Sequence, residues 1–84
     1  MKQRLYTIYD NKAQTHGRPF TAINDNVAIR SFAQAVRDPQ TEFSKAPGDY
    51  MLYGIGAYDD NTGIIEPERA PVHIATGTDL LAKI

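Results

Sequence analysis

The first part of the chain interleaves cationic and aromatic side chains, a combination that suits the binding of single-stranded nucleic acid. Cations can follow the phosphate backbone, while flat rings offer surfaces on which bases stack. Each stacked base contributes about 1–3 kcal/mol, whatever its identity. The residues that form this candidate nucleic-acid site are Lys2, Arg4, Tyr6, Tyr9, Lys12, His16, Arg18, Arg30 and Arg37.

A structural interpretation of the same residues stands beside the functional one. Aromatic residues on strands usually pack, so Tyr6 or Tyr9 can belong to the core. The basic side chains of the loop would then only aid solubility, and Arg30 and Arg37 would form a solvated helix face. Composition alone favours this interpretation.

Charge is distributed unevenly, although the net charge of the chain is only −1. Residues 1–37 hold six basic and two acidic residues, a net charge of +4. Residues 38–84 hold three basic and eight acidic residues, a net charge of −5. Such asymmetry can mark an anion-binding side, or it can mean that the two halves attract each other within or between chains.

Catalytic and metal-binding patterns are poor. The chain has no cysteine, and its two histidines, His16 and His73, are far apart in sequence. Ser31 and Ser44 lack the flanking glycines of a nucleophile elbow. The segment from Asp59 to Gly63 is a hairpin turn, because the glycine and glutamate that a calcium loop needs are absent at the required spacing. We therefore expect no enzyme activity, no metal and no cofactor.

One helix, from Asn24 to Asp38, organises the predicted fold. Asn24 is suited to cap its first turn, and Pro39 ends it. The apolar residues recur at helical spacing and define the face that packs on the rest of the chain. They are Ala28, Ile29, Phe32, Ala35 and Val36.

The remaining elements are predicted as short strands and loops. Strands are predicted at Lys2–Asp10, Tyr50–Tyr58, Ile64–Glu66 and Val72–Ala75. Loops are predicted at Asn11–Pro19, Pro39–Asp49 and Glu68–Pro71, a short apolar lead-in to the helix at Phe20–Ile23, and a terminal helical turn at Thr78–Lys83, capped by Thr78. The glycines at positions 54 and 56 indicate a bulge or a close neighbour, either the helix or a second subunit.

This order predicts an α+β fold in which one principal helix packs on a small, mainly antiparallel sheet of three to four strands. The element order is β-α-β-β, followed by a short C-terminal strand or helical turn. Residues 1–84 are expected to form a single domain. A single helix leaves one face of a small sheet uncovered, so we expect a homodimer or higher homo-oligomer. No apolar run is long enough for a membrane span, and none resembles a signal peptide.

Four segments, in this order, carry a family resemblance: YTIYDNKA (Tyr6–Ala13), RPF (Arg18–Phe20), AIRSF (Ala28–Phe32) and DPQTEFSKAPGDYMLYGIGAYDDNTG (Asp38–Gly63). The chain resembles the small non-structural DNA-binding protein of gokushovirus-type microviruses, which are single-stranded DNA bacteriophages. Gly48 and Ala57 stand where that family usually has acidic residues. The tail after Ile65 matches no part of the family pattern.

The resemblance implies a non-enzymatic phage protein made in the cytoplasm of an infected bacterium. It further implies binding of single-stranded DNA during the change from replication to genome packaging. The alternative is a protein–protein adaptor that docks on a viral replication or capsid component, an interpretation consistent with the acidic second half. No membrane partner is expected.

Overall fold

The computed structural model describes residues 1–81, which form an antiparallel sheet with one long helix packed on it. The strands are β1 (Lys2–Asp10), β2 (Thr15–His16), β3 (Phe20–Ala22), β4 (Tyr50–Asp59) and β5 (Ile65–Thr76), and the helices are α1 (Asp25–Arg37) and α2 (Glu42–Lys45). Two short 3-10 helices span Pro47–Asp49 and Gly77–Leu80. The strand order is β2-β1-β4-β5, and β3 also pairs with β1. The predicted α+β fold is confirmed, with five strands instead of three to four.

Helix α1 begins and ends where its sequence predicts. The side chain of Asn24 accepts a hydrogen bond from the backbone N–H of Val27, at 2.9 Å. Asp25 in the first turn and Arg37 in the last suit the helix dipole. The helix ends before Asp38, because Pro39 disfavours helical geometry in the residue that precedes it.

The core lies between α1 and one face of the sheet. Phe32 and Val36 of α1 are buried against Tyr6 of β1 and Leu52 of β4, with Leu80 closing one end. Partners across a ladder point to the same side of a sheet, so the register assigns residues to faces. Tyr6, Ile8 and Leu52 lie on the helix-covered face. The opposite, helix-free face carries the intervening residues, and those used below are Thr7, Tyr9, His16, Met51, Tyr53 and His73.

The segment before α1 is more ordered than predicted. The predicted loop Asn11–Pro19 contains β2, in which His16 pairs with Tyr9, and the predicted lead-in Phe20–Ile23 contains β3. Both short strands pair with β1, whose outer edge would otherwise leave backbone N–H and C=O groups unpaired. Their shortness hides the period-2 pattern by which strands are recognised in a sequence.

Strand β5 corrects the predictions for the region after the hairpin. Pro67 does not end the strand; it pairs with Gly56, and the strand runs to Thr76. A proline is tolerated there because β5 is an outer strand. The N–H that proline lacks is therefore not needed for pairing with a further strand. Between the pairs Gly56–Pro67 and Gly54–Val72 the register shifts, so the predicted loop Glu68–Pro71 forms a bulge within the strand.

The two glycines of β4 mark both of the predicted features, a bulge and a close neighbour. A Cβ at Gly56 would lie 2.5 Å from the carbonyl oxygen of Glu66, so only glycine fits against β5. A Cβ at Gly54 would meet the side chain of Ile74, also on β5, at 3.3 Å. The nearest atoms thus belong to β5 and, for Gly54, also to Arg4 of β1, while Leu52 in the same row of β4 packs beneath α1.

The C-terminal turn begins earlier than predicted. A 3-10 helix spans Gly77–Leu80, and the carboxylate of Asp79 accepts a hydrogen bond from the N–H of Thr76, so Thr78 is not its cap. The rest of the predicted turn, up to Lys83, extends outside the described residues. None of the helices within residues 1–81 is long and apolar enough to cross a lipid bilayer.

Tyr6 links the sheet to the start of α1 and makes stability sensitive to high pH. Its hydroxyl donates to Asp25 at 2.6 Å, and Arg4 Nε lies 3.3 Å from the same carboxylate oxygen. Burial, reinforced by the hydrogen bond to Asp25, raises the pKa of Tyr6 to about 12 from 10.0. The folded state therefore holds the phenolic proton more tightly than the unfolded state. The contribution is complete below pH 10 and is lost as the pH rises towards 12.

We expect the free energy of unfolding to fall by roughly 2–3 kcal/mol more in the wild type than in Tyr6→Phe between pH 9 and pH 12, because phenylalanine has no proton to lose. Urea denaturation across this range measures the difference. Tyr58→Phe, which removes a hydroxyl elsewhere in the sheet, is the control. Parallel pH profiles for the wild type and Tyr6→Phe would contradict the prediction.

Candidate nucleic-acid interface

Four rings meet on the helix-free face of the sheet. The register places Tyr9 beside His16 and Tyr53 beside His73. Tyr53 is the central ring: its centroid lies 6.0 Å from that of Tyr9 and 5.6 Å from those of both histidines. Tyr9 and His16 are 4.8 Å apart. We call Tyr9, His16, Tyr53 and His73 the ring cluster, and it extends across β2, β1, β4 and β5.

Threonines hold both histidines of the cluster in place. Thr7 Oγ1 and His16 Nδ1 lie 2.7 Å apart, and Thr76 Oγ1 and His73 Nε2 lie 2.9 Å apart. Thr7 is only 4% exposed, so its hydroxyl sits on a rigid part of the sheet. Each imidazole is thus oriented through one ring nitrogen, and the other nitrogen has no hydrogen-bond partner within residues 1–81.

A cavity of about 330 Å³ opens beside the cluster and is lined by Tyr9, His16, Tyr53 and Pro71. Three walls are aromatic, and the fourth is the proline at the end of the β5 bulge. Such a lining, apolar with a few polar atoms, is typical of sites for small flat ligands. The bulge therefore has a geometric effect, since it supplies one wall of the cavity.

Three cations are close in sequence to the ring cluster. Lys12 lies in the turn after β1, Arg18 follows β2 by two residues, and Arg69 lies in the β5 bulge. All three are exposed, and within residues 1–81 none of their side chains forms a hydrogen bond or an ion pair. They belong to elements on both sides of the cluster, so a phosphate backbone crossing the rings would find a cation at either side.

Five of the nine predicted site residues lie elsewhere. Tyr6 is a core residue with no exposed surface, as the structural interpretation allows, so its assignment to a stacking surface is wrong. Arg4 contacts Asp25 on the helix-covered face. The other three are Lys2, whose Nζ lies 2.9 Å from Glu66 at the far end of β1, and Arg30 and Arg37 on α1. Arg37 donates to the carbonyl oxygen of Leu80.

The structure brings Tyr9 and His16 together, places Lys12 and Arg18 in the adjoining turns, and adds three residues that sequence reasoning missed. These are Tyr53, His73 and Arg69. Tyr53 could have been found from the sequence, because side chains alternate between faces along β4 and Tyr53 therefore lies on the face opposite to the buried Leu52. The register that places Tyr53 between Tyr9 and His73 depends on long-range pairing, which local patterns do not show.

A second cavity, of about 390 Å³, lies at the start of α1 and is lined by Arg4, Asn24, Asp25 and Asn26. The carboxylate of Asp25 in this cavity already accepts a hydrogen bond from the hydroxyl of Tyr6 and contacts Arg4. Arg4, the cation in this lining, therefore already faces a carboxylate, and the negative charge of that carboxylate would repel a phosphate.

The fold and site define a small α+β protein whose uncovered sheet face carries aromatic rings with cations beside them. The chain belongs to the phage ORF5 protein family, whose family model matches residues 3–80. It is therefore a bacteriophage protein. No curated protein and no solved structure matches the chain.

Proposed function

We propose that this phage protein binds single-stranded DNA through the ring cluster, without enzyme activity. The observation that carries the proposal is the meeting of four rings on the helix-free face, with Lys12, Arg18 and Arg69 in the adjoining turns and bulge. The resemblance to gokushovirus proteins adds a role in the change from replication to packaging, in the cytoplasm of the infected host.

Sheet faces that carry aromatic rings bind single strands in other folds, because unpaired bases can splay out and stack on them. In a duplex the base faces are covered by neighbouring pairs, so the rings would have no surface to contact. The proposal therefore predicts a preference for single strands. It also predicts no strong preference for any base, since every base has a flat face.

The direct test compares oligo-dT with a duplex of equal phosphate number by fluorescence anisotropy at several salt concentrations. We expect tighter binding to oligo-dT and a linear fall of log K with log salt, with a slope of about −0.7 for each phosphate contacted. Equal affinities for oligo-dT and the duplex, or an affinity for oligo-dT that does not change with salt concentration, would contradict the proposal.

A pair of charge reversals tests where the DNA lies. Arg18→Glu is expected to weaken oligo-dT binding about tenfold at low salt, because it turns an attraction beside the ring cluster into a repulsion. Arg30→Glu is the matched control, an equal change of charge on α1, and we expect less than about a twofold effect from it. Equal losses in both variants would place the DNA elsewhere or indicate a non-specific charge effect.

We further propose that the protein is a homodimer joined by side-chain packing near the β4–β5 hairpin. Two apolar residues are exposed there, Ile64 and Ile65, each more than half accessible. Light scattering at micromolar concentration should give twice the monomer mass, and Ile65→Glu should restore the monomer because it would bury a charge. A wild-type monomer would contradict this part of the proposal.

A further inference from the structure

We propose that the cavity between the ring cluster and Pro71 is a pocket for one nucleobase, in which Thr7 acts as a positioning residue for His16. This inference deepens the proposed function and rests on it. It assigns a separate role to one part of the face: the cavity takes a single base, while the exposed rings around it tolerate any neighbouring base.

The shape of the cavity favours one small flat group. Its volume of about 330 Å³ is at the lower end of the range for ligand pockets, too small for a run of stacked bases. Tyr9 and Tyr53 meet edge to face, at 89°, so the pocket walls point in different directions. A planar heterocycle can stack on one wall while its edge meets another.

The polar content of the cavity also suits a base. With His16 Nδ1 bound to the Thr7 hydroxyl, Nε2 is the nitrogen left to meet a ligand. In a neutral imidazole one nitrogen donates and the other accepts, so the direction of the Thr7 bond decides which role Nε2 takes. In either case Nε2 offers one hydrogen bond at a fixed position, which matches the donor and acceptor groups along the edge of a base. An aliphatic ligand would make no use of this hydrogen bond.

The position of Thr7 explains why it controls this contact. Thr7 pairs with Tyr53 across β1 and β4, and its side chain is almost fully buried beneath the rings. His16 belongs to the two-residue strand β2, which by itself holds the imidazole weakly. The hydrogen bond to Thr7 therefore ties the orientation of His16 to the rigid centre of the sheet.

The test uses the full chain and two probes that differ only by the base, thymidine monophosphate and deoxyribose 5-phosphate. Ring signals of Tyr9, His16 and Tyr53 are followed by NMR during each titration. We expect thymidine monophosphate to bind in the millimolar range and to shift these signals. Deoxyribose 5-phosphate should bind at least about tenfold more weakly, because it lacks the stacking surface.

Variants at Thr7 separate positioning from general stability. Thr7→Val keeps the shape of the side chain and removes the hydroxyl, and it should lower the affinity for thymidine monophosphate several-fold and change the ¹⁵N shifts of His16. Thr7→Ser keeps the hydroxyl and should retain both. The probe comparison on the wild type needs no variant, so the inference remains testable if Thr7→Val does not fold.

The outcomes distinguish this inference from the proposed function. Equal binding of the two probes, or shifts confined to other residues, would overturn the base pocket even if oligo-dT still binds. Unchanged affinity and ¹⁵N shifts in Thr7→Val would overturn the role of Thr7. Failure of oligo-dT to bind the wild type would overturn the proposed function itself.

Discussion

Replacing Tyr53 by alanine is expected to weaken binding of oligo-dT by roughly 10- to 100-fold. Tyr53 is the central ring, in contact with Tyr9, His16 and His73, so its removal deletes one stacking surface and loosens the other three. A loss of one to two stacked bases accounts for an effect of this size. Fluorescence anisotropy at constant salt measures it.

Tyr53→Phe is the matched control, because it keeps the ring and removes only the hydroxyl. Its affinity should stay within about twofold of the wild type, since the one contact of the hydroxyl within residues 1–81 is a weak one, 4.0 Å from the sulfur of Met51. Circular dichroism must show that Tyr53→Ala is folded. A folded Tyr53→Ala protein with wild-type affinity would remove the ring cluster from the DNA-binding surface.

The largest expected effect on stability comes from Leu52→Ala. Leu52 is completely buried near the start of β4, where it pairs with Ile8 and Ala75 and packs in the core beneath α1. Truncation of such a residue costs about 2–5 kcal/mol, from lost burial and the cavity left behind. Domains of this size have a free energy of unfolding of roughly 5–15 kcal/mol, so the variant should be close to unfolding.

Urea denaturation measures the effect of Leu52→Ala, with Ile23→Ala as the control. Ile23 is also a large aliphatic residue, but it is 63% exposed and lies outside the proposed dimer contact, so its truncation should change the free energy of unfolding by less than about 0.5 kcal/mol. Losses of similar size at both positions would mean that the core does not lie between α1 and the sheet.

The elements with strong local signals were predictable. Helix α1 has a capping residue, a regular apolar face and a proline stop, all within one segment, and its bounds agree with the prediction. Strand β1 was predicted from Lys2 to Asp10, as found, because β-branched and aromatic residues dominate it. The hairpin turn predicted at Asp59–Gly63 is found, and Gly63 adopts a left-handed φ of +76°, which favours glycine.

The features that sequence reasoning missed depend on contacts between distant segments. Strand β3 exists because β1 offers it a partner, and β5 continues past Pro67 because that residue lies on the outer edge. The residues of the ring cluster likewise depend on contacts between segments that are distant in sequence. Tyr6 and Tyr9 look alike in sequence, but they lie on opposite faces of β1, and only the packing of α1 decides which ring is buried.

The prolines of β5 also affect how copies of this protein behave when crowded. An outer strand with free N–H groups can template the addition of strands from other molecules, a route to fibrils. Pro67 and Pro71 have no N–H to donate, and the register break between them distorts the strand. At high local concentration each sheet would therefore stay separate from the sheets of neighbouring molecules.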